Sequence, residues 1–379
     1  MQVKSLHLKN FRNHADLFLE FGAGFNVITG KNAAGKTNIV EAVFLCCIAK
    51  SPRADLDREL IRFGSDGALV RLTVARREGE NVIEIELSRQ GKKKISIDGV
   101  PVARAGELLG VLNAVFFSPD EIKVVKQSPV ERRRFMDIDL SQSDKNYFYA
   151  LSRYNKILQQ RNNLLKLVKD PVSLYDSLPV WDKQMAVEGA HIINRRREFI
   201  KELSALAAKA HARLTSDAEK LSLCYLNPWL AGEAENPSAL LKKDASKEEV
   251  CAALLDALEA NFDRDVRFGN TLAGPHRDDI KIMVNGVDVR TYGSCGQQRT
   301  ATLSLKLAET EHLYSSAGEH PVLILDDVFS ELDDARQEKL LRERQTKSPK
   351  APRRQTIVTA AKFDEKTMPA DIEFKQFKI

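Results

Sequence analysis

The rhythm of apolar and polar positions changes along this chain and divides it. Gln2 to Leu8 and Phe18 to Phe21 read as strands, Phe25 to Ile28 is an apolar run, and Asn38 to Ala49 has the apolar spacing of a helix. Val70 to Arg76, Val82 to Ser88 and Lys94 to Ile97 are alternating or β-branched; Arg89-Gln90-Gly91 and Asp98-Gly99 mark turns, so an antiparallel meander is expected beside the main sheet. From about Ser118 the texture is helical. Tyr147, Leu151, Tyr154, Leu158, Leu165 and Val168 recur at three-four spacing, with Arg153, Lys156, Arg161 and Lys166 on other faces. After a break from Asp170-Pro171 to Leu178-Pro179, Trp181, Met185, Ile192, Phe199, Leu203 and Leu206 repeat the pattern. Two helices of about 30 residues would each span roughly 45 Å. They read as a short antiparallel arm or, because Gly189 and polar residues interrupt the seam, as a globular helical subdomain. Leu221 to Leu226 reads as a strand, Pro228 to Ser246 as a loop and Lys247 to Phe262 as a helix. Beyond Arg267 come a strand from Ile280 to Val284, the turn Asn285-Gly286, a helix from Thr300 to Leu313, the apolar strand Val322 to Leu325, a surface linker from Thr346 to Arg354, and a strand from Thr356 to Thr359. The expected fold class is α/β, with a head of mixed sheet built from residues 1–117 and 268–379 and a mainly helical insertion at 118–267.

The 379 residues are ample for two or three domains with a real core. A net charge of +5 permits a polyanionic partner without requiring one. Lys92-Lys93-Lys94, Arg132-Arg133-Arg134, Arg195-Arg196-Arg197, Lys242-Lys243 and Arg353-Arg354 are local clusters, each of which singly reads as a solvated face. Five cysteines, two of them adjacent at Cys46-Cys47, do not read as a disulfide framework and fit a reducing cytosol. The chain opens on a strand pattern without a basic-then-apolar leader, and no apolar stretch approaches about 18 residues, so a soluble cytoplasmic protein is expected.

Three short stretches carry the chemistry. Gly30-Lys31-Asn32-Ala33-Ala34-Gly35-Lys36-Thr37 fits G-x-x-x-x-G-K-S/T between a strand and a helix. There the backbone N–H groups face the α- and β-phosphates, Lys36 reaches the β- and γ-phosphates, and the Thr37 hydroxyl suits Mg²⁺. Val322 to Leu325 ends in Asp326 and Asp327, which a buried parallel strand would deliver to the carboxyl edge of the sheet beside that loop. Asp326 suits Mg²⁺, and Asp327 suits orienting an attacking water. Ser294-Cys295-Gly296-Gln297-Gln298 opens a helix, so its free N–H groups form a second anion site. His276 with Asp278 and Asp279 reads either as a nuclease-like metal centre or as a turn satisfied by its own side chains.

The order of these stretches resembles that of ATP-binding-cassette ATPases, in which the signature of one subunit closes over the γ-phosphate held by another. The interval from Thr37 to Ser294 is longer than in transporters and far shorter than in the SMC (structural-maintenance-of-chromosomes) proteins. Ser330-Glu331-Leu332-Asp333 stands behind the acidic pair as part of that set, and Leu8-Lys9-Asn10-Phe11-Arg12-Asn13, Phe117-Ser118-Pro119-Asp120-Glu121, Ser128-Pro129 on to Arg132-Arg133-Arg134-Phe135-Met136-Asp137 and Ala273-Gly274-Pro275-His276-Arg277-Asp278 narrow the likeness. On them the chain is identified as a member of the RecF recombination-mediator family, with Gln127 a departure from the family's usual Gly. The resemblance implies ATP and Mg²⁺ as cofactors, Ser294, Gly296, Gln297 and Arg12 as further nucleotide contacts, and an ATP-induced homodimer that clamps duplex or gapped DNA. It also implies slow hydrolysis as a timer, RecO and RecR as partners in placing RecA on gaps, and a place in replication, recombination and the SOS response at the nucleoid. The antiparallel layer would touch the adenine side. The rival readings are a chromosome-organising SMC-like ATPase, an SMC-like nuclease, and a transporter subunit; against the last, Ala360 and Ala361 stand where transporters carry a His.

Overall fold

The computed structural model describes residues 1–168, 170–230, 245–328, 337, 354–361, 363 and 373–379. Ser330-Glu331-Leu332-Asp333, Lys242-Lys243, Arg353 and the linker before Arg354 lie outside the described residues. Two compact units form: Met1–Ile122 with Thr302–Ile379, and Lys123–Ala301.

The first unit begins with β1 (Gln2–Phe11), β2 (His14–Glu20), β3 (Phe25–Thr29) and α1 (Lys36–Ile48), followed by β4 (Gly67–Arg76), β5 (Gly79–Ser88), β6 (Lys94–Ile97), β7 (Val100–Pro101) and β8 (Ala114–Phe117). An antiparallel sheet runs β2-β1-β4-β5-β6-β7. Asp98 and Gly99 take φ of 53° and 77°, the left-handed pair that a tight two-residue hairpin requires. β3 is buried at every position, including Asn26, whose side chain bonds the backbone of Gly22 and Gly24. From Ile39 to Cys47 every residue of α1 is buried, because this helix touches strands of both sheets of its unit.

The second unit holds α2 (Lys123–Lys126), α3 (Pro129–Ser143), α4 (Lys145–Leu167), α5 (Pro171–Thr215), β9 (Leu221–Leu226), α6 (Lys247–Ala260), α7 (Phe262–Phe268), β10 (Asp279–Val284), β11 (Val287–Asp288) and α8 (Val289–Tyr292). α4 and α5 are antiparallel: going forward along α4, Asp144 at its cap meets Arg195, Arg153 meets Glu188, and Arg161 meets Asp182. The expected antiparallel pair of helices is present and is also packed into its unit, since α5 lies against α6, β9 and α3. Gly189, which interrupts the apolar seam, is where α6 comes in, and a Cβ there would stand 2.6 Å from Leu254. The expected break up to Pro179 is absent, because α5 already starts at Pro171 and carries Pro179 inside it. Antiparallel pairing of β10 with β9 ties residues beyond 268 to this unit, so compactness places the boundaries at Ile122 and Ala301 rather than at 117 and 267.

The chain continues in α9 (Cys295–Ala317), β12 (Val322–Asp326), β13 (Thr356–Ala360) and β14 (Phe374–Lys378). The last three join β3 and β8 in a second sheet of order β14-β3-β13-β12-β8, with every pairing parallel. The antiparallel meander thus forms a sheet of its own, the layer expected beside the main sheet. The strand order puts β13 between the strand that feeds the glycine-rich loop and the strand that ends in two aspartates.

Candidate functional site

The loop from Gly30 to Gly35 leaves the carboxyl end of β3 and opens α1 at Lys36. Gly35 takes φ of 102°, and a Cβ there would stand 2.4 Å from Asn13 Oδ1 and 2.5 Å from His14 Nε2. Those two side chains come from the turn after β1 and from the first residue of β2, and they brace the loop from behind. Asn13 Nδ2 donates to the Ala34 carbonyl at 3.0 Å, His14 Nε2 lies 3.1 Å from the Gly35 carbonyl, and Asn38 Nδ2 donates to Asn13 Oδ1 at 2.8 Å. Lys31, Asn32 and Ala33 are exposed, with Ala33 at φ 66°. The Lys36 ammonium donates to the carbonyls of Gly30 and Lys31 at 2.8 and 2.9 Å, so it is held across the mouth of the loop where phosphate charge would lie.

Thr37 and Asp326, 289 residues apart, meet here: the Thr37 hydroxyl donates to Asp326 Oδ1 at 3.0 Å. Thr359 Oγ1 donates to the same oxygen at 2.6 Å. Burial pushes the Asp326 carboxyl above its ordinary value, and the hydroxyls of Thr359 and Thr37 oppose that rise. With its proton directed at Asp326, the Thr37 hydroxyl keeps its lone pairs outward, and a hydroxyl beside a carboxylate is the hard oxygen set that Mg²⁺ takes. Asp327 is exposed, in left-handed backbone at φ 53°, with its N–H on Thr359.

Arg12 follows β1 with φ of 52°. Its guanidinium makes a two-pronged bond to Glu41 at 2.9 and 2.7 Å and donates to the Glu59 carbonyl, while Ser51 Oγ donates to Glu41 at 2.6 Å. Arg12 also lines an open cleft of about 1110 Å³ with Asn13, Asn38, Arg53 and Phe63, so the residue borders the loop's surroundings although most of its donors serve the fold.

Ser294, Cys295 and Gly296 are exposed at the start of α9. Ser294 and Gln297 cap the helix reciprocally: Ser294 N–H donates to Gln297 Oε1 at 2.9 Å and Gln297 N–H to Ser294 Oγ at 3.2 Å. Gln297 Nε2 further donates to Glu219 at 2.8 Å. These signature residues belong to the second unit and the loop and acids to the first.

The triad of His276, Asp278 and Asp279 is engaged within the fold. Asp278, fully buried, accepts from Tyr225, from Asn227 and Trp229 at 2.7 Å each, and faces Arg196. His276 lies 2.7 Å from the Tyr154 hydroxyl and 3.0 Å from the Thr271 carbonyl, and burial pushes its pKa down to about 4. Asp279 takes a two-pronged bond from Arg132 at 2.5 and 3.0 Å. Arg132 is therefore not on the solvated face that its cluster alone suggests but is a buried structural cation, and its third nitrogen bonds the carbonyl of Gln127. Arg133 donates to the Asp278 carbonyl. Arg161 and Arg196, also buried, hold Asp182 with Asp265 and Asp137 with Asp278. Runs of arginine hid this, because each acidic partner lies far away in sequence. Arg134, Lys92, Lys94, Lys156, Lys166 and Arg153, the last paired with Glu188, are among the cluster and helix cations that remain exposed.

Sequence reasoning missed Thr359, Asn13 and His14 as parts of the site, and β8 and β14 as strands. Nothing local marks them, although Asn13 directly follows Arg12.

A glycine-rich loop opening a helix, an acidic strand two places away in a parallel sheet, and a flanking antiparallel sheet define a P-loop ATPase head of the SMC kind. The family model for the RecF/RecN/SMC N-terminal domain matches residues 2–371. A DNA replication and repair protein RecF from Lachnoclostridium phytofermentans is 43% identical over 341 residues, covering 90% of this chain and 89% of that protein. Another from Halothermothrix orenii is 44% identical over 364 residues, covering 96% and 93%. The chain belongs to the RecF family. Among solved structures, the recombination mediator protein RecF–ATP in the RecFOR pathway superposes with a TM-score of 0.86 at 36% identity, covering 99% of this chain and 95% of that one. An Smc head bound to the C-winged helix domain of ScpA shares the fold, at 18% identity and a TM-score of 0.55.

Proposed function

We propose that the chain is an ATP-dependent DNA-binding protein of bacterial gap repair, in which ATP and Mg²⁺ join two copies into a clamp and slow hydrolysis releases it. The observation that carries this reading is the 3.0 Å bond between Thr37 and Asp326, which unites the phosphate loop and the acidic strand in one site. In it the loop amides and Lys36 hold the phosphates, Thr37 and Asp326 hold the metal, and Asp327 orients water. Mg²⁺, when bound, supplies charge neutralisation at the β- and γ-phosphates. The capped, exposed start of α9, with Ser294, Gly296 and Gln297, is the surface that closes over the nucleotide of the other copy. Two composite sites then convert γ-phosphate into association free energy. Relatives named for replication and repair, and a RecF–ATP structure assigned to the RecFOR pathway, support DNA, RecO and RecR as partners in loading RecA, in the cytoplasm at the nucleoid.

Complementation between two variants tests it. Lys36→Ala should lose ATP binding, and Ser294→Arg should bind ATP but not dimerise, because a bulky cation covers the anion site. Mixed, they should recover ATPase activity, since one composite site of the heterodimer is intact. Absence of recovery, with wild-type dimers forming under the same conditions in light scattering, would exclude the two-copy site.

A further inference from the structure

β13 ends where the two acids begin, and one hydroxyl there touches both. Thr359 is 1% exposed. Its Oγ1 lies 2.6 Å from Asp326 Oδ1 and 3.0 Å from the backbone nitrogen of Asp327, whose N–H also reaches the Thr359 carbonyl at 3.2 Å. The proton positions follow from chemistry: an N–H can only donate and a carboxylate only accept, so the hydroxyl gives its proton to Asp326 and offers a lone pair to Asp327. The contact is also selective. Thr356, on the same strand and equally buried, leaves its hydroxyl without a partner among the described residues. After Thr359 come Ala360, which ends the strand, and Ala361, and both offer only methyl groups.

Asp327 needs such a restraint. It stands exposed in left-handed backbone at φ 53°, a sparsely populated conformation that Asp adopts more readily than most residues and that surrounding bonds must hold in place. We propose that Thr359 is a positioning residue for hydrolysis: its hydroxyl ties the carboxylate of Asp326 to the backbone of Asp327 and so fixes the direction of the Asp327 side chain. The proposal rests on the reading of Asp327 as the group that orients water. It assigns to the strand between the phosphate-loop strand and the acidic strand a task of its own, holding the metal-side and water-side acids in register.

The near-isosteric Thr359→Val exchanges the hydroxyl for a methyl group, and Thr359→Ser keeps the hydroxyl. In Thr359→Val, single-turnover hydrolysis should slow by about tenfold or more while ATP affinity stays within about twofold. Thr359→Ser should recover most of the rate. Without nucleotide, amide hydrogen exchange at Asp327 should quicken by about tenfold in the Val variant and not in the Ser variant. ATP with the Val variant should also accumulate a long-lived dimer. Wild-type hydrolysis in Thr359→Val, or loss of ATP affinity together with rate, would overturn the positioning role. Asp327→Asn hydrolysing at the wild-type rate would instead overturn the reading beneath it, and the exchange measurement separates the two.

Discussion

A single side chain here often serves a partner more than a hundred residues away, and His276 shows what that costs. Its ordinary pKa of 6.5 falls to about 4 because burial disfavours the imidazolium, with Arg277, Arg133 and Arg161 adding to the effect. Between those values the unfolded chain takes up a proton that the folded chain refuses. Stability from this group is therefore complete above pH 6.5 and is lost as the pH falls toward 4, by roughly 3 kcal/mol at most. Urea unfolding of the second unit across that range should show the loss, and His276→Gln should flatten the slope even though its starting stability is lower. An unchanged slope would assign the titration to other histidines. Arginines behave likewise. Removing Arg132 would strand Asp279 without its two-pronged partner, a defect of folding rather than of DNA contact.

At the scale of the element, the loop between β3 and α1 depends on what stands behind it. Gly35→Ala would force a side chain into left-handed backbone, at a cost of about 1–3 kcal/mol, and drive its Cβ into Asn13 and His14. Nucleotide binding by fluorescence titration should weaken at least tenfold, or about 1.4 kcal/mol, with the far-UV circular dichroism unchanged; wild-type affinity would show that the brace yields freely. The loop, the acidic end of β12 and the capped start of α9 were legible because each is written in neighbouring residues: glycine spacing, an apolar run ending in acids, a Ser followed by Gln three places on. Legibility stopped where a residue's role depends on a distant partner. Thr359 looks like any β-branched strand residue until β12 is placed beside β13. Ala114–Phe117 has no turn signal or acidic pair to mark it and Phe374–Lys378 is interrupted by Lys375 and Gln376, and both are strands because a parallel neighbour accepts them. Asp278 reads as a turn residue, yet it collects donors from Tyr225, Asn227 and Trp229.

For the whole molecule, net charge misleads and exposure informs. With Arg132, Arg161 and Arg196 buried, the proposed DNA track falls to exposed cations such as Lys92 and Lys94. Replacing both by Ala should lower the log-log salt slope of duplex binding by roughly 0.9 for each phosphate no longer neutralised, with ATP-induced dimerisation intact. Anisotropy titrations at several salt concentrations would read it, and a wild-type slope would move the track to Lys156 and Lys166 on α4. The order of strands also has a meaning for how the protein is made. β3, complete by residue 29, pairs on one side with Thr356–Ala360 and on the other with Phe374–Lys378. During translation the strand that carries the phosphate loop, buried at every position in the finished fold, keeps both edges bare until Thr356–Ala360 and Phe374–Lys378 have been made. A nascent chain that stops before those two segments exposes an apolar, unpaired β-strand, a surface that chaperones hold, and lacks the partners of the sheet on which the phosphate loop stands.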